Sequence, residues 1–379
     1  MYKFYEASLK TQSMSLKDKI YNLSFSYILF IILMGCIGIG MLYSAANGNL
    51  RPWALAHGVR FAAGLGGMIV ISLINIKLFL KYSYWFYFFS LFLLIAVEVL
   101  GFVGMGAQRW INLGFITIQP SELMKIALVM ALAKYFHGQP LGAIYKTKSL
   151  IIPAMMIFFP TALILIQPDL GTSLMLIATA VMMVFVCGVQ LWKFALVAGG
   201  TLFSLPVIWH LLHDYQKERV LTFLNPERDP LGAGYHIIQS KIALGSGGGF
   251  GKGFLQGSQS HLNFLPEKHT DFIFTMLSEE FGLVGAVLVI LLNILILAYS
   301  FSFALKSSSY YGKILAIGLS CNYFLYVFIN IAMVIGLLPV VGVPLPLVSY
   351  GGTVMLSIMA SFGLILSVNI HRHQPLSKE

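Results

Sequence analysis

The stretch that decides the fold is Ser24–Ala45, SFSYILFIILMGCIGIGMLYSA, an apolar run with no formally charged residue. A bilayer core of about 30 Å needs about 20 such residues as helix, because backbone groups left unpaired in lipid are costly. Nine further runs of this kind follow, roughly at 57–75, 83–103, 120–136, 151–167, 172–190, 192–212, 270–300, 312–337 and 346–369. Lys17 and Lys19 before the first run and Ser44-Ala-Ala46 after it imitate a secretory leader. Its length and the nine runs behind it argue instead for an uncleaved first helix. The expectation is an all-α integral membrane protein with about ten transmembrane helices, read as one polytopic domain over residues 1–379.

Composition agrees. Of 379 residues, 58% are hydrophobic and 10% charged, against roughly a quarter charged in soluble domains. A soluble cytosolic enzyme is excluded, as is a disordered chain. Cys36, Cys187 and Cys321 stand alone, so neither a disulfide framework nor a zinc site is expected. In a membrane protein the distribution of the net charge of +10 matters more than its size, and no nucleic-acid partner is expected.

Ten spans put both termini on one side. Lys3, Lys10, Lys17, Lys19, Lys77, Lys81, Lys134, Lys146, Lys148, Lys193, Lys306, Lys313, Arg372 and Lys378 fall there, 14 of the 24 basic residues. The short loops opposite hold Arg51, Arg60 and Arg109. By the positive-inside bias the termini are cytoplasmic. One large extracytoplasmic loop, 213–269, lies between helices 7 and 8; its length suggests function or disorder, and Tyr215, Phe223, Leu224, Tyr235 and Phe264 argue against disorder. The acids are skewed outward: Glu98, Glu122, Asp169, Asp271, Glu279 and Glu280 fall in or beside the outer half of the membrane.

Gly245–Gly253 carries a Gly-Lys pair, but Ser246 stands where a phosphate loop needs its first glycine and Gly253 where it needs Ser or Thr. A flexible turn is the simpler reading; backbone amides facing a phosphate is the other. In Gln119-Pro-Ser-Glu-Leu-Met-Lys125, proline suits a first helical turn, and Glu122 and Lys125 share a face. A charged pair entering the bilayer points to a polar cavity, with dipole compensation as the plainer alternative. Asp169 in Gln167-Pro-Asp-Leu-Gly171 is either a helix cap or part of such a cavity. Arg109 and Trp110 read as an interfacial anchor or as a contact to an anionic lipid-linked substrate.

The richest segment is Phe264-Leu-Pro-Glu-Lys-His-Thr-Asp-Phe-Ile-Phe274. A cap accounts for Thr270 or Asp271, but not for Glu267, Lys268 and His269 beside them. A partly desolvated carboxylate at Asp271 would have a raised pKa, which suits a general base. Glu279 and Glu280 lie roughly 12–13 Å deeper at 1.5 Å per residue, and at least one of them is expected to serve helix packing. Leu338–Gly352, rich in Pro and Gly, is a cavity wall or a tight turn.

Gln119-Pro-Ser-Glu122, Gln167-Pro-Asp-Leu-Gly171, Leu265–Phe274 and Pro344-Leu-Pro-Leu-Val-Ser-Tyr-Gly-Gly352 are collinear, and together they resemble the SEDS family (shape, elongation, division and sporulation) of bacterial cell-wall synthesis. The short N-terminus and the Glu-Lys-His-Thr-Asp wording are most similar to its elongation branch, with the division branch as the alternative. The resemblance implies a peptidoglycan glycosyltransferase of the plasma membrane that polymerises lipid II on the outer face. It places the family's essential acid on Asp271, its fourth-helix pair on Glu122 and Lys125, and a further acid on Asp169. It also implies a class B penicillin-binding protein transpeptidase as partner, among other elongation-complex membrane proteins. On that reading Asp271 deprotonates an acceptor hydroxyl in one inverting displacement. Lys268, Arg109 and Arg219 are candidates for the pyrophosphate, and Trp110 and Glu267 join the substrate site. A divalent cation, magnesium or manganese, would suit a pyrophosphate, although the chain shows no dedicated metal cage. The main rival is a lipid II flippase, disfavoured because polar groups are scarce in the inner half.

Overall fold

The computed structural model describes residues 14–104, 107–112, 114, 117–140, 142–211, 214–229, 232–262, 264 and 267–377. Lys3, Glu6, Lys10, His213, Leu265, Pro266, Lys378 and Glu379 lie outside them. Every apolar run of the sequence coincides with a helix. After a short α1 (Leu16–Tyr21), boxed at its N-terminus by reciprocal Ser15 and Asp18 bonds, come α2 (Phe25–Ala45), α3 (Trp53–Leu73), α4 (Ile76–Leu100) and α5 (Pro120–Gly138). They are followed by α6 (Ile151–Ile166), α7 (Leu170–Val186), α8 (Leu191–Leu211), α9 (Asp214–Leu224), α10 (Ala233–Ser246) and the single turn α11 (Ser258–His261). The chain closes with α12 (Ile273–Lys306), α13 (Tyr310–Val334) and α14 (Gly352–Ile370). Among the described residues, seven helices are long and apolar enough to cross a membrane: α2, α3, α4, α6, α12, α13 and α14.

The centre of the bundle is α5, α13 and α14, buried on nearly every face. α3 packs along α14 with little between the backbones: a methyl at Gly363 would sit 2.8 Å from Met68 O. Local chemistry sets the ends. Pro120 occupies the first turn of α5, Asp169 caps α7 by accepting from Thr172 N, and Ser309 caps α13 by accepting from Gly312 N.

Three features depart from the sequence reading. A small antiparallel sheet of β1 (Phe102–Gly104), β2 (Ala107–Asn112) and β3 (Thr117–Ile118) sits between α4 and α5, so the fold is helical but not purely so. Arg60 lies inside α3 rather than in a loop. The 213–269 segment contains α9, α10 and α11.

The glycine run is neither a flexible turn nor a phosphate cradle. α12 is broken at Gly282, whose φ of 64° and ψ of −160° interrupt the ladder. The run fills the break. Lys252 N and Gly253 N donate to Glu279 O and Glu280 O, while Leu283 N and Val284 N donate to Gly248 O and Gly249 O. Such closeness requires glycine: a methyl at Gly251, at φ +81°, would sit 2.1 Å from Glu280 O.

Candidate active site

A cleft of about 810 Å³ opens between the start of α5, the sheet, the start of α7, the turn before α12 and the Pro/Gly-rich segment before α14. It is walled by Arg109 and Trp110 from β2, by Glu122 and Lys125 from α5, by Asp169, and by Arg219, Glu267 and Asp271. Four separate motifs thus converge on one space. Lys268 does not join them. It is buried, with its ammonium donating to Ser260 O at 2.8 Å, and burial lowers its pKa.

Glu122 and Lys125 form a buried ion pair of 2.7 Å, one turn apart on α5. Tyr326 of α13 completes it: its hydroxyl donates to Glu122 Oε2 at 2.5 Å and accepts from Lys125, whose ammonium also lies over the ring. Ser357 of α14 donates to the same carboxylate oxygen at 3.0 Å. The pair therefore ties three central helices together at the cleft floor. Asp169 combines both readings offered for it. It caps α7 through Thr172 N and Thr172 Oγ1, and it faces the cleft, where Arg109 Nη1 stands 3.4 Å away and Gln119 donates at 3.3 Å.

Asp271 lies two residues before α12, partly exposed to the cleft. Among the described residues no donor hydrogen-bonds its carboxylate. Burial, reinforced by the neighbouring Glu267 charge and opposed by Arg219, pushes its pKa up to about 6. His269, on the same turn, stacks on Trp53 at 4.4 Å; burial lowers its pKa, so it is neutral at pH 7. Glu279 and Glu280 do not reach this cleft. Glu279 accepts from Lys252, Gln259 N, Ser260 N and Ser260 Oγ. Glu280 accepts from Ser44 and His261. Both anchor the glycine run and α11 to α12, which is the packing role expected of at least one of them. Of the three acids near Asp271, only Glu267 shares its cavity.

Sequence reasoning missed Arg60, Tyr326 and Tyr350. Arg60 reaches the cleft from within α3 and stacks on Tyr350 at 5.1 Å. Its signal was available: one guanidinium inside an apolar run is costly unless it meets a cavity. Tyr350 comes from the Leu338–Gly352 segment, which is both cavity wall and turn: it lines the cleft, and within it Val348 N and Ser349 N close a tight turn on Leu345 O. For a divalent cation the fit is poor. Among the described residues no group of three or more His, Cys, Asp or Glu side chains comes together, and Asp271 and Glu267 are the two carboxylates on the turn.

A family model described as cell cycle protein, covering FtsW, RodA and SpoVE, matches residues 23–374. The chain belongs to this family. It is a multi-pass membrane protein. It is 41% identical over 357 residues to the peptidoglycan glycosyltransferase MrdB of Escherichia coli K12, covering 94% of this chain and 95% of that one. Among solved structures it resembles a chain from work on the structural coordination of polymerization and crosslinking by a peptidoglycan synthase complex, with TM-score 0.80, 32% identity and 93% and 99% coverage. It also resembles the rod shape determining protein RodA of Thermus thermophilus, with TM-score 0.68, 27% identity and 93% and 98% coverage. The match to the family model spans the helices that build the cleft.

Proposed function

We propose that the protein is a peptidoglycan glycosyltransferase that polymerises lipid II on the outer face of the plasma membrane during elongation. One observation carries the chemistry. Asp271, whose carboxyl has a raised pKa and meets no donor among the described residues, and three guanidiniums, Arg60, Arg109 and Arg219, line one cleft. Asp271 takes the proton of the acceptor 4-hydroxyl as that oxygen bonds to the donor's anomeric carbon. The anomeric carbon–phosphate oxygen bond breaks, polyprenyl pyrophosphate leaves, and the configuration inverts from α to β without a covalent enzyme intermediate. The arginines meet the pyrophosphate, Glu122, Lys125 and Tyr326 form the floor, and Trp110 and Asp169 border the substrate. If magnesium or manganese takes part it enters on the pyrophosphate, and a chelator titration decides it.

Ten spans are the topology this reading needs. The seven long apolar helices are joined by α5, whose Glu122, Lys125 and Lys134 lower its hydropathy, and by the shorter α7 and α8. Ten crossings put the termini together on the basic, cytoplasmic side and the cleft outside. The partner on this reading is a class B penicillin-binding protein transpeptidase; the neighbour's description, polymerization and crosslinking coordinated by one synthase complex, supports a crosslinking partner.

The test is glycan polymerisation from purified lipid II by the protein with its transpeptidase, wild type beside Asp271→Asn. Polymer from wild type alone, with the variant folded and partner-bound, supports the reading. Equal polymer from both removes Asp271 as base. No polymer from either, with an active partner bound, favours a flippase.

A further inference from the structure

We propose that Asn330 is a positioning residue for Asp271: its amide clamps the acid-bearing turn to the cavity wall and so sets where the carboxylate stands. The inference rests on the reading of Asp271 as the base. The helical ladder of α12 begins with Met276 N donating to Phe272 O. The carbonyls of His269, Thr270 and Asp271 lie ahead of it and need other donors. All three are met from across the cleft. Tyr350 N donates to His269 O at 2.9 Å, Ser349 Oγ to Thr270 O at 2.7 Å, and Asn330 Nδ2 to Asp271 O at 2.9 Å.

Asn330 differs from the other two donors. Tyr350 and Ser349 belong to the wall segment itself, so they bind the turn to the wall but neither to the bundle. Asn330 stands on α13, fully buried, and gives its second N–H to Val343 O of the wall at 2.7 Å. One amide therefore fixes both irregular segments to a central helix. Gly342 of the same wall segment lies against the acid, since a methyl there would come within 3.5 Å of Asp271 Oδ2. The other end of the amide shows what it is for. Among the described residues Asn330 Oδ1 is buried with no partner, a cost that an apolar side chain of similar shape would avoid. The two N–H bonds account for an amide here; space filling does not.

The experiment uses the purified complex with its transpeptidase and lipid II, comparing wild type, Asn330→Leu, Asn330→Gln and Asp271→Asn. A misplaced reacting group costs about 10- to 100-fold in turnover, so Asn330→Leu is expected to lose that much in kcat with KM within about threefold. Its acid limb is expected to move to lower pH, because a loosened turn lets water reach the carboxylate. Asn330→Gln, which keeps the NH2 on a longer arm, is expected to recover part of kcat. A folded Asn330→Leu with wild-type kcat overturns the inference, as does a loss confined to KM or to folded yield with an unmoved pH limb. If Asn330→Leu does not fold, Asn330→Gln decides: reduced kcat at constant KM supports the clamp, and wild-type kcat overturns it. Wild-type polymerisation by Asp271→Asn overturns the base reading and the clamp with it. An inactive Asp271→Asn beside a fully active Asn330→Leu overturns the clamp alone.

Discussion

Lowering the pH from 7 to 5 should slow polymerisation about tenfold, and the structure says why. On the proposed mechanism the base works as its carboxylate, so the rate follows the ionised fraction of Asp271, which falls as pH drops through its pKa. With that pKa raised to about 6, about 91% of the side chains are ionised at pH 7 and about 9% at pH 5. At the ordinary value of 3.8, the same step would cost only about 6% of the rate. The two cases differ too widely to be confused. The assay is initial glycan formation at saturating lipid II across pH 4.5–8, with fold and partner binding checked at each point. Glu267→Gln adds a directional test. Removing the neighbouring negative charge, which helps to raise the Asp271 pKa, should move the acid limb to lower pH. A rate flat between pH 5 and 7, or a limb that moves up in Glu267→Gln, would refute the argument.

Three further perturbations follow from the geometry. Lys125→Met leaves Glu122 as an uncompensated buried charge, for which a loss of about 3–5 kcal/mol is expected; thermal unfolding should show the double variant Glu122→Gln/Lys125→Met recovering part of it. Gly251→Ala drives a methyl against Glu280 O at a left-handed φ, at a cost of about 1–3 kcal/mol, and limited proteolysis should show new cleavage between Gly247 and Leu262. Arg109→Gln removes one of the cations proposed to meet the pyrophosphate, and with it the Asp169 ion pair; on that reading KM for lipid II should rise about tenfold, equivalent to about 1.4 kcal/mol, with a smaller change in kcat.

Helix positions were legible because lipid leaves the backbone no other choice, so an apolar run of the right length is a helix wherever it occurs. The acids at Glu122, Asp169 and Asp271 were legible for the complementary reason: charge beside such runs is costly and needs a cavity or a partner. Tyr326 and Ser357 were not. They sit on α13 and α14, which are buried on nearly every face and carry polar residues on several, so no periodicity marks which face meets α5. Arg60 was assigned to a loop although it falls inside the apolar run 57–75; the structure places it within α3, where its guanidinium needs the cleft. Lys268 was misjudged because six polar or ionisable groups in one short segment do not all face one way; the turn sends its side chain back to Ser260. The glycine run misled for another reason. Glycine signals permitted φ and close approach alike, and only the break at Gly282, far along the chain, shows that close approach is its use here.

What separates Asp271 from the other acids buried nearby is the state of its lone pairs. Glu279 is held by four strong donors, Glu122 by an ammonium and two hydroxyls, and Asp169 by a guanidinium, an amide and a helix terminus. Donors of that kind occupy the lone pairs through which a carboxylate would take a proton. At Asp271 the donors found among the described residues go to the backbone instead: they bind the carbonyls of its turn and leave its carboxylate to the cleft. Burial then raises the affinity of that carboxylate for a proton, while Arg219 keeps it ionised near neutrality. A backbone fixed on one side and a carboxylate left unbonded on the other is what proton removal requires: the group is placed without being used up. The same division explains why, of Glu122, Asp169, Asp271 and Glu279, Asp271 is the one proposed as the base.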